Sequence, residues 1–517
     1  MDQGSQALHP AVRDAIYHAT PRQQRAGFHR QVATALVTHC ELVGPWLAVR
    51  AYHMDKGFQI QGALDTYGQA KAWAEANNAL SEVAEIISAM LELINERDMP
   101  EQVATLLVEQ QDILYQLNPH DARCQELLNH AYALWTELGN ATEAAATLMR
   151  IAVHHAGTPM EDDYYYDAQT LLERDDPRHP MLPSVYLRRA LYLADHRLIG
   201  SSQKAEELFE RARTLALQLE DVVTLANIHF EMGLYLRSHH QLTDALSAFQ
   251  QALSYFSQIE DTSADPRVLT CNYLADLYYH LGHPAKGEYY AGEAVAASAR
   301  ASDYIRVLPY VTLSECYAAQ GRWQEAISTL IEAPGELAPS EMPLRFWLGR
   351  WRFEEGNTLV GLEVMRESVP SENLECTMQF IDYLLDASFI DEATSRLHQI
   401  MSQGRVTDSN ATTFPTTAFA DRLRGRVAAA NKDYARATAL LDRARHQFAR
   451  EGFVMLSIST RRALAVALLA RCGPNDAQSA RMLLEEALGD CKKLSINAES
   501  RRIHNLLRAN WPDSSAR

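Results

Sequence analysis

The chain has 517 residues, of which 47% are hydrophobic and 22% charged, with a formal net charge of −18. Such a balance argues against the whole chain being a nucleic-acid binder. No stretch approaches the roughly 18 uninterrupted apolar residues of a membrane span, and the opening MDQGSQALHP has neither the basic nor the apolar region of a signal peptide, so a cytoplasmic protein is expected. Seven cysteines (40, 124, 271, 316, 376, 472 and 491) are scattered and never form a CxxC pair, which leaves neither a disulfide framework nor a zinc site and reads as buried thiols in a reducing compartment. Alanine, leucine, glutamate, glutamine and arginine dominate, and glycine and proline cluster between periodic segments, so the chain is expected to be all-α.

Residues 1–50 do not carry the pattern of the rest. HPAVRDAIYHA forms an amphipathic helix, breaks at Thr20-Pro21, and restarts as a second helix bearing Phe28, His29, Val32 and Leu36. Threonine before proline is a helix-start signal, with Thr20 expected as N-cap.

This stretch resembles the end of the winged-helix region that follows the nucleotide-binding module in STAND-type signalling ATPases, especially the large LuxR-type and maltose-activator-type bacterial transcription regulators. The matching residues are His9, Pro10, Val12, Arg13, Asp14, Ala15, Tyr17, Pro21, Arg25, His29 and Ala33 or Ala35, and Ala51-Tyr52-His53 resembles the element that leads into the first repeat. The specific likeness covers roughly residues 8–75. It implies a sensor arm that binds an inducer or a partner and biases a nucleotide-binding module elsewhere in a full-length protein. The chain itself lacks GxxxxGK[ST], so it is not expected to hydrolyse ATP, and no helix-turn-helix is recognisable before the closing LLRANWPDSSAR. Either a fragment or a product that keeps only the sensor arm is expected.

Residues 51–420 show a recurring helix-pair signature. Small residues on successive first helices align as Gly233, Ala275, Ser314, Gly349, Ile381 and Gly425, with only Ile381 large. Twelve residues further on stand Ala245, Gly287, Ala326, Gly361, Ala393 and Ala437, every one small. In a tetratricopeptide repeat two such residues let paired helices touch, and a large apolar residue one turn later fills the gap to the next pair. Upstream, Ala63, Tyr67 and Ala70, then Ala144, Leu148 and Ile151, then Ala205, Phe209 and Ala212 repeat the second-helix pattern. The first-helix spacings of 42, 39, 35, 32 and 44 residues are looser than the standard period of about 34, with the extra length in loops such as DTSADPR and SQGRVTDSNATTFPTTA. The expected fold is a right-handed α-solenoid of roughly nine to eleven tetratricopeptide-like pairs, with an irregular helical bundle as the alternative.

Such an array presents a concave face lined by first helices. Residues expected there are Asn227, Phe230, Arg237, Asn272, Asp276, Tyr279, Glu315, Phe346 and Arg350, which could clamp a peptide main chain or carboxylate, or serve only as solvated helix faces. The segment EDDYYYDAQ places Tyr164, Tyr165 and Tyr166 beside four acids as a possible partner patch, with at least one ring exposed. Residues 421–517 hold 18 Lys and Arg against 10 Asp and Glu. This basic end is read as solvated arginines on outer helix faces, the alternative being a dock for an acidic partner or nucleic acid.

Histidine doublets at His154-His155 and His239-His240 point about 100° apart on a helix and do not form a metal site, and no HExxH or GxSxG is present. The acids Glu161, Asp162, Asp163, Asp175 and Asp176 flank turns, where they cap helices rather than perform acid/base chemistry. No cofactor, metal or catalytic residue is expected. The chain reads as a non-catalytic arm that binds a protein, a peptide or a small inducer in its groove. The alternatives are a free-standing tetratricopeptide scaffold or adaptor, and a helical enzyme without a recognisable motif. Self-association of an open-ended array is a further expectation.

Overall fold

The computed structural model describes residues 10–39, 44–195, 201–259, 264–335, 343–370, 373–406 and 414–511, so His9, Cys40 and parts of the two long loops lie outside the described residues. It divides into two compact units, Met1–Leu193 and Ala194–Arg517. Every regular element among the described residues is an α-helix.

The first unit begins with α1 (Pro10–Ala19), α2 (Arg22–His39), α3 (Pro45–Lys56), α4 (Ile60–Ala76) and α5 (Leu80–Leu93). It continues with α6 (Pro100–Leu117), α7 (Arg123–Glu137), α8 (Ala141–His154), α9 (Pro159–Asp175) and α10 (Leu182–Asp195). Each helix packs on the next from α2 to α9, the mark of a stack with no single core. Ala63, Tyr67 and Ala70 on α4 are buried, as are Ala144, Leu148 and Ile151 on α8. The intervening pair α5/α6 repeats the motif with Val103, Ala104 and Leu107 buried. Thr20 does not cap α2. Its hydroxyl donates to the Ile16 carbonyl at 2.8 Å, closing α1 instead.

The second unit opens with α11 (Ser201–Gln218), α12 (Val222–Ser238), α13 (Leu242–Phe256), α14 (Ala264–His280), α15 (Pro284–Ser298) and α16 (Asp303–Ala319). Next come α17 (Trp323–Ile331), α18 (Leu344–Glu355), α19 (Thr358–Ser368), α20 (Leu374–Asp386) and α21 (Ile390–Ser402). It ends with α22 (Thr416–Ala430), α23 (Tyr434–Arg450), α24 (Val454–Arg471), α25 (Asp476–Leu494) and α26 (Asn497–Asn510). Seven pairs run from α12/α13 to α24/α25, and α3/α4, α5/α6 and α7/α8 add three, giving ten such pairs among the described residues of an all-α helical-repeat solenoid.

The small-residue column is where paired helices meet. A methyl built on Gly233 would sit 2.7 Å from the Phe249 ring, and one on Gly287 would sit 2.9 Å from the Ala275 carbonyl oxygen. Ala245, Ala275, Ser314, Ala326, Ile381, Ala393 and Ala437 are all fully buried. Phe249, one turn after Ala245, fills the space to the next pair and stacks on Tyr273 with centroids 5.3 Å apart. Residue 420 lies inside α22, whose Ala418, Phe419 and Leu423 share one core with Phe380 and Ile381 of α20, and the break between units falls after residue 193 rather than at 50 or 420.

No helix among the described residues is long and apolar enough to cross a membrane. Five of the six described cysteines are buried, whereas Cys472 is exposed in a left-handed turn that ends α24.

Candidate functional site

The first helices of the second unit form its inner face. Successive members touch, α14 on α16, α16 on α18, α20 on α22 and α22 on α24, because the small-residue column turns one face of each toward its own partner and leaves the neighbouring face inward. In addition α14 meets α24 and α16 meets α26, so the array comes round upon itself and encloses a cavity of about 570 Å³. Late residues close the ring against early turns. Glu451 Oε2 lies 3.1 Å from His240 Nδ1. The Phe453 ring stands edge-on to His240 at 5.4 Å and His280 at 5.3 Å. Arg502 pairs with Glu354, 148 positions earlier.

The cavity wall is charged and mostly paired. Arg237 donates to Asp276 at 2.8 Å, and His280 Nε2 stands 3.2 Å from the other Asp276 oxygen. Burial alone would raise the Asp276 carboxyl, but Arg237 and His280 hold it well below the usual carboxylate range. Burial opposes the charge on His280, and Asp276 overrides it and raises the imidazole. Asp382 is held low, against its burial, by Arg422 at 2.8 Å and by Arg426, which also binds Asp386. Arg422 reaches Ser459 and Thr460 at 2.8 Å each, tying α20, α22 and α24 together. Arg462 and Arg502 both pair with Glu499, whose carboxyl they keep low in spite of its burial.

Another group on the same wall is unmatched. Asn272 is 7% exposed and its Oδ1 has no hydrogen-bond partner. The same holds for Gln379 Oε1, whose Nε2 donates to Glu375 at 2.9 Å. Arg350 lies over the Trp347 and Trp351 rings at 4.3 and 4.7 Å and donates through Nε to the Tyr383 hydroxyl at 3.3 Å, while its terminal NH1 is unsatisfied and 3.9 Å from Glu315. Burial pushes the Glu315 carboxyl up to about 8 although Arg350 draws it down, and burial likewise raises Glu375. Native interiors satisfy nearly all buried polar atoms, so three orphans lining one cavity point to a binding surface. Perturbed carboxyls in a cleft point the same way.

Of the residues expected in the groove, Arg237, Asn272, Asp276, Tyr279, Glu315 and Arg350 line this cavity. Three do not. Asn227 is exposed outside it, Phe230 packs between Phe249 and Tyr273, and Phe346 is fully buried in the core. The last two sit three residues before the aligned Gly233 and Gly349, the position from which Asn272, Val311 and Arg422 do line the cavity, but their rings pack into the core instead. Sequence reasoning missed Glu375, Gln379, Asp382, Tyr383, Arg422, Arg462 and Arg502. One signal was available: the residue just after each aligned small position reads Asp276, Glu315, Arg350, Asp382 and Arg426, a charged column at five successive pairs.

The arginines of the basic end are not simply solvated on outer faces. Arg422, Arg426, Arg462 and Arg502 bind acids from α18, α20 and α26, the first three across adjacent inner helices and Arg502 across the closure of the ring. The three tyrosines do not make one patch. Tyr165 is buried, Tyr164 faces the His155 ring at 5.1 Å, and Tyr166 is exposed beneath the Arg189 guanidinium at 4.8 Å. Asp162 pairs with Arg189, while Glu161 and Asp176 accept backbone N–H groups. In the first unit Tyr17, His29 and His53 form a chain, with His29 Nε2 3.0 Å from the Tyr17 hydroxyl and the two Nδ1 atoms 2.7 Å apart, and Arg25 covers the Tyr17 ring. No group of side chains suited to a metal ion occurs among the described residues.

Comparison with protein-family models and with curated proteins finds no match. Among solved structures the chain is similar to yeast Tom70, with 16% identity, 89% of this chain and 96% of that chain covered and a TM-score of 0.37. It is also similar to the Cut9–Hcn1 hetero-tetramer of the APC/C, with 13% identity, coverage of 95% and 98% and a TM-score of 0.35. BtubC from P. vanneervenii is matched at 18% identity over 46% of this chain and 89% of that chain, with a TM-score of 0.27. At such scores the solenoid description rests on the molecule's own helix pairs.

Proposed function

We propose that this chain is a non-catalytic binding solenoid, a scaffold or adaptor whose second unit takes a group of its partner into the axial cavity. The observation that carries this is the set of buried, unsatisfied atoms of Asn272, Arg350 and Gln379 among the residues lining one cavity. Leaving such groups unmet costs roughly 1–3 kcal/mol each, which a bound molecule would recover. The test compares proteins retained from the native lysate by the wild-type chain and by an Asn272→Ala, Gln379→Ala variant of equal thermal stability. Loss of a defined protein in the variant supports the reading, equal retention places the binding surface outside the cavity, and no retention by either chain defeats the scaffold role.

A sensor arm of a STAND-type regulator is the second reading. What supports it is that Tyr17, Arg25, His29 and His53, all among the residues of the resemblance, pack together. Nucleotide-dependent binding of this chain to a separately produced P-loop module encoded with it would support that role, and nucleotide-independent or absent binding would count against it.

A further inference from the structure

We infer that the axial cavity is a site for a small organic cation, a compound that presents a protonated amine to Asn272 Oδ1, Gln379 Oε1 and the carboxyl groups of Glu315 and Glu375. This rests on the binding role proposed for the cavity and names the chemistry of its ligand.

The argument is one of unmatched capacity. Asp276, Asp382, Asp386, Glu354 and Glu499 each have an arginine bound to them. Glu315 and Glu375 are built differently. Arg350 stands 3.9 Å from Glu315, too far for a hydrogen bond, and Glu375 is held by the neutral Gln379 amide. Beside them are two buried carbonyl oxygens without donors, against a single unsatisfied donor on Arg350. Two carboxyl groups and two unpaired amide oxygens beside one unpaired donor complement an ammonium group, which has three donors and no acceptor, once Glu315 has given up its proton.

Asn272 of α14, Glu315 of α16, Arg350 of α18 and Glu375 and Gln379 of α20 all line this one cavity. The rings of Tyr279, Tyr383 and Trp323 line the same space and supply the aromatic faces on which organic cations rest. A cavity of about 570 Å³ lies within the roughly 300–1,000 Å³ of small-molecule sites.

Binding has a proton balance. At pH 7 the buried Glu315 carboxyl is largely protonated, since its pKa is pushed up to about 8. An arriving ammonium favours the carboxylate, so the carboxyl O–H proton leaves to solvent as the ion pair forms, and no covalent bond to the ligand is made.

The experiment is isothermal titration calorimetry of the full chain with spermidine, and in parallel with glutamate and glycyl-leucine, at pH 7 in phosphate and in MOPS, two buffers of different ionisation enthalpy that carry no primary amine. Saturable binding of spermidine with release of 0.5–1 proton, flagged by the difference between buffers, is expected, with affinity rising up to about tenfold per pH unit between 6 and 8. In Glu315→Gln the proton release and the pH slope disappear and affinity falls about tenfold or more. Spermidine bound with the same proton release by Glu315→Gln would mark nonspecific attraction to an acidic chain and overturn the inference. Glutamate or glycyl-leucine bound in place of spermidine, and lost in Asn272→Ala, would overturn the cation while leaving the cavity as a binding site. Heats that stay flat with all three probes would overturn it as well, with the proposed scaffold role then decided by the lysate comparison alone.

Discussion

Gly349 and Gly361 face each other across α18 and α19 so closely that a methyl on Gly361 would lie 2.6 Å from the Gly349 carbonyl oxygen, and one on Gly349 would lie 2.9 Å from the Gly361 oxygen. The two backbones touch, and the obstructing atoms are main chain that cannot rotate away. Gly361→Ala is therefore expected to destabilise the second unit by about 1–3 kcal/mol, as overpacking does. Gly292, in the interior of α15 with nothing within 4 Å, is the matched control, and Gly292→Ala is expected to stabilise by about 0.5–1 kcal/mol. Urea melts of both variants check the pair of signs.

The Arg502 pair with Glu354 bolts the last helix to the middle of the ring. Glu354 is 8% exposed and also accepts the Tyr383 hydroxyl at 3.0 Å, while Arg502 is 35% exposed, so water screens part of the attraction. A double-mutant cycle of Arg502→Met and Glu354→Gln is expected to give a coupling energy of about 1–2 kcal/mol. A coupling near zero would mean that the ring is closed by the Phe453 contacts and not by this pair.

Glu315 sets an alkaline limit. Its unfolded carboxyl ionises near 4.5, whereas in the folded chain burial keeps the proton until about 8. Between those values the unfolded state holds fewer protons, so this group makes stability fall as pH rises. Glu315→Gln, which has no proton to lose, is expected to gain on the wild type by more than about 1 kcal/mol between pH 5 and pH 8, read as a widening difference in Tm.

His29 and His53 act in the opposite direction. Burial lowers both imidazoles from their usual value, aided by Lys56 and Arg25 at His29 and by His29 itself at His53. Only one proton fits between two Nδ1 atoms 2.7 Å apart. As pH falls below about 6.5 the unfolded state takes up protons that the folded one resists, and the N-terminal helices weaken. Hydrogen exchange in α1 to α3, corrected for intrinsic rate, is expected to quicken between pH 7.5 and 5.5, and His29→Asn is expected to flatten that change.

The helix pairs were legible because helix contact is a local geometric demand. Wherever two first-turn neighbours must touch, the sequence carries Gly233 and Ala245, Gly349 and Gly361, or Gly425 and Ala437, and this spacing needs no knowledge of distant parts. Six of nine groove residues were legible for the same reason, since a helix face follows from its own small-residue position. Phe230 and Phe346 hold the helix position from which Asn272 and Arg422 line the cavity, but an apolar ring there packs into the core instead, which periodicity alone does not show.

By itself, then, the sequence determined an all-α chain of paired helices, their approximate number, and which side of each faces inward, because these depend on residues three to twelve positions apart. Only the tertiary structure decided that the second unit closes into a ring, that Arg502 meets Glu354 and Glu451 meets His240, and that Glu315 and Glu375 are left without a close arginine. Small rotations between successive pairs accumulate over seven repeats, and whether they return the last helix to the first is a property of their sum that no single repeat encodes. The chemistry of the cavity follows from that sum, since burial is what raises the carboxyls of Glu315 and Glu375 above their usual range.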